Sequence, residues 1–158
     1  MSKSKFKEAM SHLATGVSIL TCSEGSNHFG MTISSLSSVG LNPPTVSICV
    51  EGQSRMLEVM RRTRCFGVTV LSVDQQAVGM QFSNPQIPYA DRFKDLDFEV
   101  INGCPLIKAG LAMMTCEIVL EHTISENVVI FGRTTHVEAH HGKPLVYFHR
   151  DWQKLALT

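Results

Sequence analysis

The chain has no apolar run approaching the roughly 20 residues that a membrane-spanning helix needs, so no part of it is expected to cross a bilayer. It has no excess of either charge, with 14 Lys and Arg against 14 Asp and Glu. Nothing in that balance would gather nucleic acid or an anionic membrane, and neither is expected as a partner. No Cys-x-x-Cys occurs, and Cys22, Cys49, Cys65, Cys104 and Cys116 are odd in number. They read as reduced, mostly buried thiols of a cytoplasmic protein. The charged start Met1-Ser-Lys-Ser-Lys-Phe-Lys is followed by no apolar stretch, so secretion is not expected. There is no Gly-x-Gly-x-x-Gly with a ribose-reading acid after it, and no evident Ser/His/Asp arrangement.

What is present fits one globular domain over residues 1–158, long enough for a real core. The stretch from Gly30 to Val50 organises it, reading as a strand, a hydroxyl-rich break and a second strand. Asn42-Pro43-Pro44 forces the turn, because proline fixes φ and donates nothing to a ladder. The Ser and Thr side chains between Thr32 and Thr45 suit the lining of a phosphate or a polar ligand edge. The same residues are ordinary on a half-buried strand and in turns.

Phe6, Ala9, Met10 and Leu13 fall at helical spacing and predict a short amphipathic helix ending before Gly16. Val17 to Cys22 reads as a strand turning at Glu24-Gly25-Ser26-Asn27, and Val46 to Val50 as another that leads through Glu51-Gly52-Gln53 to a helix start. Ser54 is the expected N-cap there, with Met56, Leu57 and Met60 as the buried stripe and Arg61-Arg62-Arg64 solvated at the C-terminus. Free amides at that helix start, with Arg55, suit an anion. Cys65 to Leu71 is a strand, and Ser72-Val73-Asp74-Gln75 is a capping box opening a helix to about Phe82. Ser83 to Pro88 cannot continue it, and a loop or short helix carries the chain to Phe93. Two long strands, Leu111 to Ile124 and Val128 to Ala139, and a last one, Leu145 to Phe148, complete an antiparallel barrel closed against exposed edges. His136, Glu138 and His140 share one strand face, but no metal site is expected there. Tyr147 and Trp152 read as core or interface aromatics.

Gly30-Met-Thr-x-Ser-Ser35, then Ser38-Val-x-Leu-x-Pro-Pro44 and a hydrophobic strand, resembles the signature of the flavin reductase-like family. These are short-chain NAD(P)H:flavin oxidoreductases that feed reduced flavin to two-component monooxygenases. Phe6 to Met10, Ala14 to Thr21, Ser54-Arg55, Phe66 to Leu71, Asp91-Arg92-Phe93, Gly103-Cys-Pro-Leu-Ile107 and Pro144 to Tyr147 match later and earlier blocks in the family's order, from about residue 6 to 155. The resemblance implies a mainly β fold, the FMN-binding split β-barrel, antiparallel and Greek-key-like with a few short helices. It implies a homodimer with flavin at the subunit interface and a flavin-dependent monooxygenase as the recipient of reduced flavin.

The implied chemistry is hydride transfer from nicotinamide C4 to flavin N5, carried by the two cofactors with no catalytic side chain and no metal. Flavin binding would fall to Met31, Thr32, Ser34, Ser35, Val50, Glu51, Gly52, Ser54, Arg55, Arg92 and Phe93. One departure stands out: the family's Gly-Asp-His falls on Ser125-Glu126-Asn127. Asparagine cannot become a cation, so Asn127, Tyr147 and His149 are the candidates for the nicotinamide side. The departure keeps open a flavoredoxin-like electron carrier, which would hold FMN tightly and turn over nucleotide poorly. FMN against FAD and NADH against NADPH are undecided at this level, and a plain β-barrel interaction module would leave the ordered blocks unexplained.

Overall fold

The computed structural model describes residues 2–156. The chain runs through helix α1 (Lys3–Ser11), strands β1 (Thr15–Gly16), β2 (Ser18–Glu24), β3 (Asn27–Ile33), β4 (Ser37–Leu41) and β5 (Pro44–Glu51), and helix α2 (Arg55–Thr63). It continues through β6 (Cys65–Val70), α3 (Gln76–Ser83), β7 (Phe98–Ile101), β8 (Cys104–Ile107), β9 (Ala112–Ile124), β10 (Asn127–Ala139), β11 (Leu145–Phe148) and β12 (Asp151–Lys154). Short 3-10 turns at Val73–Gln75 and Tyr89–Asp91 flank α3 and the loop after it.

The architecture is the mainly β, antiparallel one expected, but its ladder does not close. A seven-stranded sheet runs in the order β3-β2-β6-β9-β10-β5-β4, so β3 and β4 are its edges and the barrel is split. A three-stranded sheet, β1-β11-β12, and the β7–β8 hairpin complete it. Closure is not needed to protect β3, because Thr32 on that strand donates its hydroxyl to the Gly79 carbonyl of α3 at 2.7 Å.

Alternation along β2 explains the two-sided core. Leu20 and Cys22 face a cluster with Ile48, Val50, Phe66 and the buried stripe of α2, while Val17 and Ile19 face a second cluster with Leu71, Phe82, Phe93 and Leu145. Helix α2 forms as its sequence dictates. The Leu57 amide donates to Ser54 Oγ at 3.2 Å, Met56, Leu57 and Met60 are fully buried, and Arg64 ends the helix in the left-handed region at φ 59°. Burying each of those side chains is worth about 1.5–3 kcal/mol. Arg61 and Arg62 sit at the C-terminus as expected and also reach Glu121 and Glu24 across the sheet. The capping box at Ser72 is present, with the Ser72 amide donating to Gln75 Oε1 at 3.0 Å, but it opens a 3-10 turn before α3.

Several expectations are corrected. The hydroxyl-rich break is only Ser34 to Leu36, because Ser37–Leu41 pairs with β5 as a strand of its own. Helix α1 ends at Ser11, so Leu13 lies beyond it, and none of its residues is buried. The strand Asp151–Lys154 also went unforeseen. Its hairpin turns on His149 and Arg150, both at positive φ (54° and 64°), where Asn-Gly is the usual signal. The β7–β8 turn does carry that signal, at Asn102-Gly103.

His28 on β3 titrates in the folding equilibrium. Its ring lies against Phe93 and Phe98 with Nδ1 2.7 Å from Ser23 Oγ, and burial holds its pKa below the ordinary 6.5. The unfolded chain therefore takes up a proton that the folded one resists, so stability falls as pH drops below about 6.5. Urea titrations from neutral to mildly acidic pH should show a shallower slope for His28→Leu than for the wild type; equal slopes would contradict this.

Candidate functional site

The break between β3 and β4 is where the sheet leaves backbone to side chains. Ser35 stands in for a strand residue. Its hydroxyl donates to the Cys49 carbonyl at 3.2 Å and accepts from the Cys49 amide at 3.0 Å, locking the break onto β5. Ser34, one residue earlier, is exposed, and among the described residues its hydroxyl makes no hydrogen bond to the protein. Ser34 lines two adjoining recesses. The larger, about 520 Å³, lies between α1 and the β11–β12 turn and takes in Phe6, Met10, Ser35, Tyr147, Phe148 and His149. The smaller, about 170 Å³, takes in Val17, Thr32, Tyr147 and Trp152.

The hairpin tip is tied to α1. The His149 amide donates to the Ser11 carbonyl at 2.8 Å and its ring meets His12 edge-on at 4.9 Å. Two consecutive non-glycine residues at positive φ are uncommon, and strain of this kind collects where position matters for function. The groove has apolar walls, a hydroxyl edge from Ser34, and Lys7 and Arg150 at its rim, which suits a flat ring carrying an anionic tail.

A second group of the expected residues gathers at the β5–α2 loop. Glu51 pairs with Asn127 across β5 and β10, and the Gly52 amide donates to the Glu126 carbonyl at 2.8 Å. The loop carrying Glu51 and Gly52 is thereby pinned to the β9–β10 turn. Ser54 Oγ is taken up by the cap, leaving the first amides of α2 for an anion, with Arg55 beside them. Arg55 is exposed, paired with Glu58 at 2.9 Å and 6.0 Å from the Phe29 ring centroid. Phe6 and Lys7 border both the large groove and a further recess that reaches Glu126, so α1 lies between His149 and the Asn127 turn.

Three expected residues stand elsewhere. The Val50 side chain is in the core, so only its backbone is available. Arg92 is 8% exposed, and its guanidinium donates to the carbonyls of Gly30 (2.8 Å), Ile87 (3.0 Å) and Asn84 (3.3 Å). Phe93 packs edge-on against Phe82, 5.0 Å between centroids. The Asp-Arg-Phe block holds the loop after α3 onto β3. Gly30 serves the same contact, since a Cβ there would run into the rings of Phe82 and Phe93. Met31 is half-buried against the first cluster. Among the histidines, His136 Nε2 lies 2.9 Å from Glu138 Oε1, and no group of three metal-ligating side chains occurs among the described residues.

Phe6, Lys7, Met10 and Arg150 border the groove but are not among the site residues expected from the sequence. The helical spacing of Phe6 and Met10 was a signal, but it reads as a buried face, whereas they are 53% and 47% exposed.

Comparison with known proteins identifies the family. The model of the flavin reductase like domain matches residues 10–156. The chain is 28% identical to an NADH-dependent flavin reductase of Rhodococcus sp, over 96% of this chain and 85% of that one. It is 30% identical to the reductase component of 4-hydroxyphenylacetate 3-monooxygenase of Thermus thermophilus, over 97% of each. The solved structure of the flavin reductase PheA2 in its native state superposes with a TM-score of 0.91 at 30% identity, covering 99% of this chain and 100% of that one.

Proposed function

The chain belongs to the flavin reductase-like family, and on that premise we propose that it reduces free flavin with NADH and passes the reduced flavin to a partner monooxygenase. The bound pair supplies the chemistry, a hydride passing from nicotinamide C4 to flavin N5. The observation that carries the reading is the groove beside Ser34, where an exposed hydroxyl with no partner among the described residues edges an apolar recess of about 520 Å³.

The protein's part is positional. Ser34 donates to the polar edge of the flavin ring, and Thr32 and Ser35, whose hydroxyls are already bonded inward, hold the backbone around it. The amides opening α2, with Arg55, receive the phosphate. Phe6, Met10 and Phe148 exclude water from the ring faces, and Asn127 and His149 flank the nicotinamide side from opposite ends of α1. Arg92 and Phe93 act through the packing of β3. The electron-carrier alternative rested on Asn127, and relatives named as reductases favour the reductase.

A homodimer completes this reading, since Phe6, Met10, Leu13 and Phe148 remain 53%, 47%, 58% and 38% exposed around the groove. The reading takes the chain as a single domain, which the two core clusters sharing β2 support. Among the described residues no helix is long and apolar enough to cross a membrane.

The test mixes purified protein with FMN or FAD and NADH or NADPH in air and follows nicotinamide absorbance. Rapid oxidation that requires added flavin, faster with NADH, is expected. No oxidation with any pair, together with flavin retained through desalting, would establish the carrier instead. Light scattering should give twice the 17.5 kDa chain mass; a monomer at micromolar concentration would remove the dimer from the proposal.

A further inference from the structure

Two recesses meet along α1, and flavin reduction makes use of only one of them. The second, about 440 Å³, is lined by Ser2, Lys3, Phe6, Lys7 and Glu126. Phe6 and Lys7 line the first as well, so one path runs from Ser34 and His149 along the helix to the β9–β10 turn. Its far end is unassigned.

That far end is built from fixed parts. Glu126 sits in the two-residue turn between β9 and β10, whose other residue, Ser125, has φ 54°. The Glu126 carbonyl accepts the Gly52 amide at 2.8 Å, and a Cβ on Gly52 would stand only 3.0 Å from that oxygen, so the turn and the β5–α2 loop hold each other in place. The Glu126 side chain is exposed and makes no ion pair or hydrogen bond among the described residues. Lys3 and Lys7, four residues apart on α1, share a helix face and are likewise unpaired among the described residues. Of the two cations at the rim of the first recess, Arg150 is already paired with Glu8 at 3.3 Å, which leaves Lys7 as the one whose charge is unmatched.

Building on the reductase reading, which puts a flat ring at the Ser34 end, we propose that the second recess is a subsite for the adenosine diphosphate half of a dinucleotide. Lys7 meets the pyrophosphate, and Glu126 accepts the adenosine ribose 2′-hydroxyl. A dinucleotide has a flat ring at one end, two phosphates in the middle and a ribose diol beyond them. The path offers apolar walls, then an ammonium common to both recesses, then a carboxylate, in that order. An ionised carboxylate only accepts hydrogen bonds, which suits a hydroxyl that donates one. It also repels a 2′-phosphate, so Glu126 selects NADH partly by rejecting NADPH. His149 and Asn127, at opposite ends of α1, then mark the two ends of the nucleotide's course. NADH and FAD carry the same adenosine diphosphate half, and the recess adjoins both the groove and the Gly52 loop, so experiment must separate the two.

The first test needs no turnover. Calorimetric titration of the wild type should show ADP-ribose binding at least about tenfold tighter than its 2′-phosphorylated form. Glu126→Gln should close that gap, and Lys7→Gln should weaken both ligands; the two positions are exposed, so neither change disturbs the fold. Turnover then identifies the source. With FMN as acceptor, a KM raised in Lys7→Gln at least about fivefold more for NADH than for reduced nicotinamide mononucleotide assigns the subsite to NADH. With reduced nicotinamide mononucleotide as donor, a KM raised more for FAD than for FMN assigns it to FAD. ADP-ribose that fails to bind at millimolar concentration, or that binds all three proteins alike, would overturn the proposal. Protein that binds ADP-ribose as expected yet oxidises no nucleotide with any flavin would overturn the reductase reading alone.

Discussion

Arg92→Met is expected to cost about 3 kcal/mol of unfolding free energy, more than any surface substitution in this chain. The side chain is 8% exposed, and its guanidinium satisfies the carbonyls of Gly30, Ile87 and Asn84. Methionine fills a similar volume but leaves the buried Gly30 carbonyl without a donor, and the face of Tyr89, 4.3 Å from the guanidinium carbon, without its cation. Because Arg92 points into the protein, the folded fraction of the variant should keep its KM for flavin within about twofold, an affinity change well under the ~1.4 kcal/mol of a tenfold effect. Urea denaturation and flavin kinetics on one preparation separate the two effects. A stable variant with a flavin KM raised tenfold or more would put Arg92 in the binding site after all.

Ser34→Leu is expected to do the reverse, raising the flavin KM at least about tenfold, the equivalent of ~1.4 kcal/mol, with little change in stability. The residue is exposed and makes no hydrogen bond to the protein among the described residues, so its loss removes nothing from the fold. Leucine both removes the hydroxyl and fills space common to the two recesses. Ser35→Ala is the control. It loses both bonds to Cys49, so it should lower stability by about 1–2 kcal/mol and weaken flavin binding only through the loosened break. If Ser34→Leu kept the wild-type flavin KM, the groove would not be the flavin site.

Much of this was legible in the residues because the signals are local. Ser54 caps α2, Met56, Leu57 and Met60 are its buried face, and Ser72 and Gln75 form their box, each decided by groups within four residues of one another. The alternation of β2 and β6 and the long run of β9 and β10 announced an antiparallel β protein, and the order of the hydroxyl and Asp-Arg-Phe blocks announced its family. That Asn127 stands opposite Glu51 comes instead from the pairing of β10 with β5.

Other features depended on partners far away in the chain. Hydroxyl-rich Thr32, Ser34 and Ser35 look alike in sequence, yet only Ser34 faces outward, because Gly79 and Cys49 accept the other two. An arginine beside an aromatic reads as a ligand site until Gly30 and Asn84 are brought against it, 62 and 8 residues away. The turn at His149-Arg150 lacks the usual turn residues and is held by Ser11 at the other end of the chain. Sequence by itself determined most of the long strands, the α2 cap and the family, because short-range hydrogen bonding and periodic burial act within a few residues, whereas β4 and β12 exist only through the strands they pair with. Which hydroxyl meets a ligand, which arginine is buried and where α1 closes the groove were decided by the tertiary structure, because a polar group's free valence is known only once its distant partners are in place.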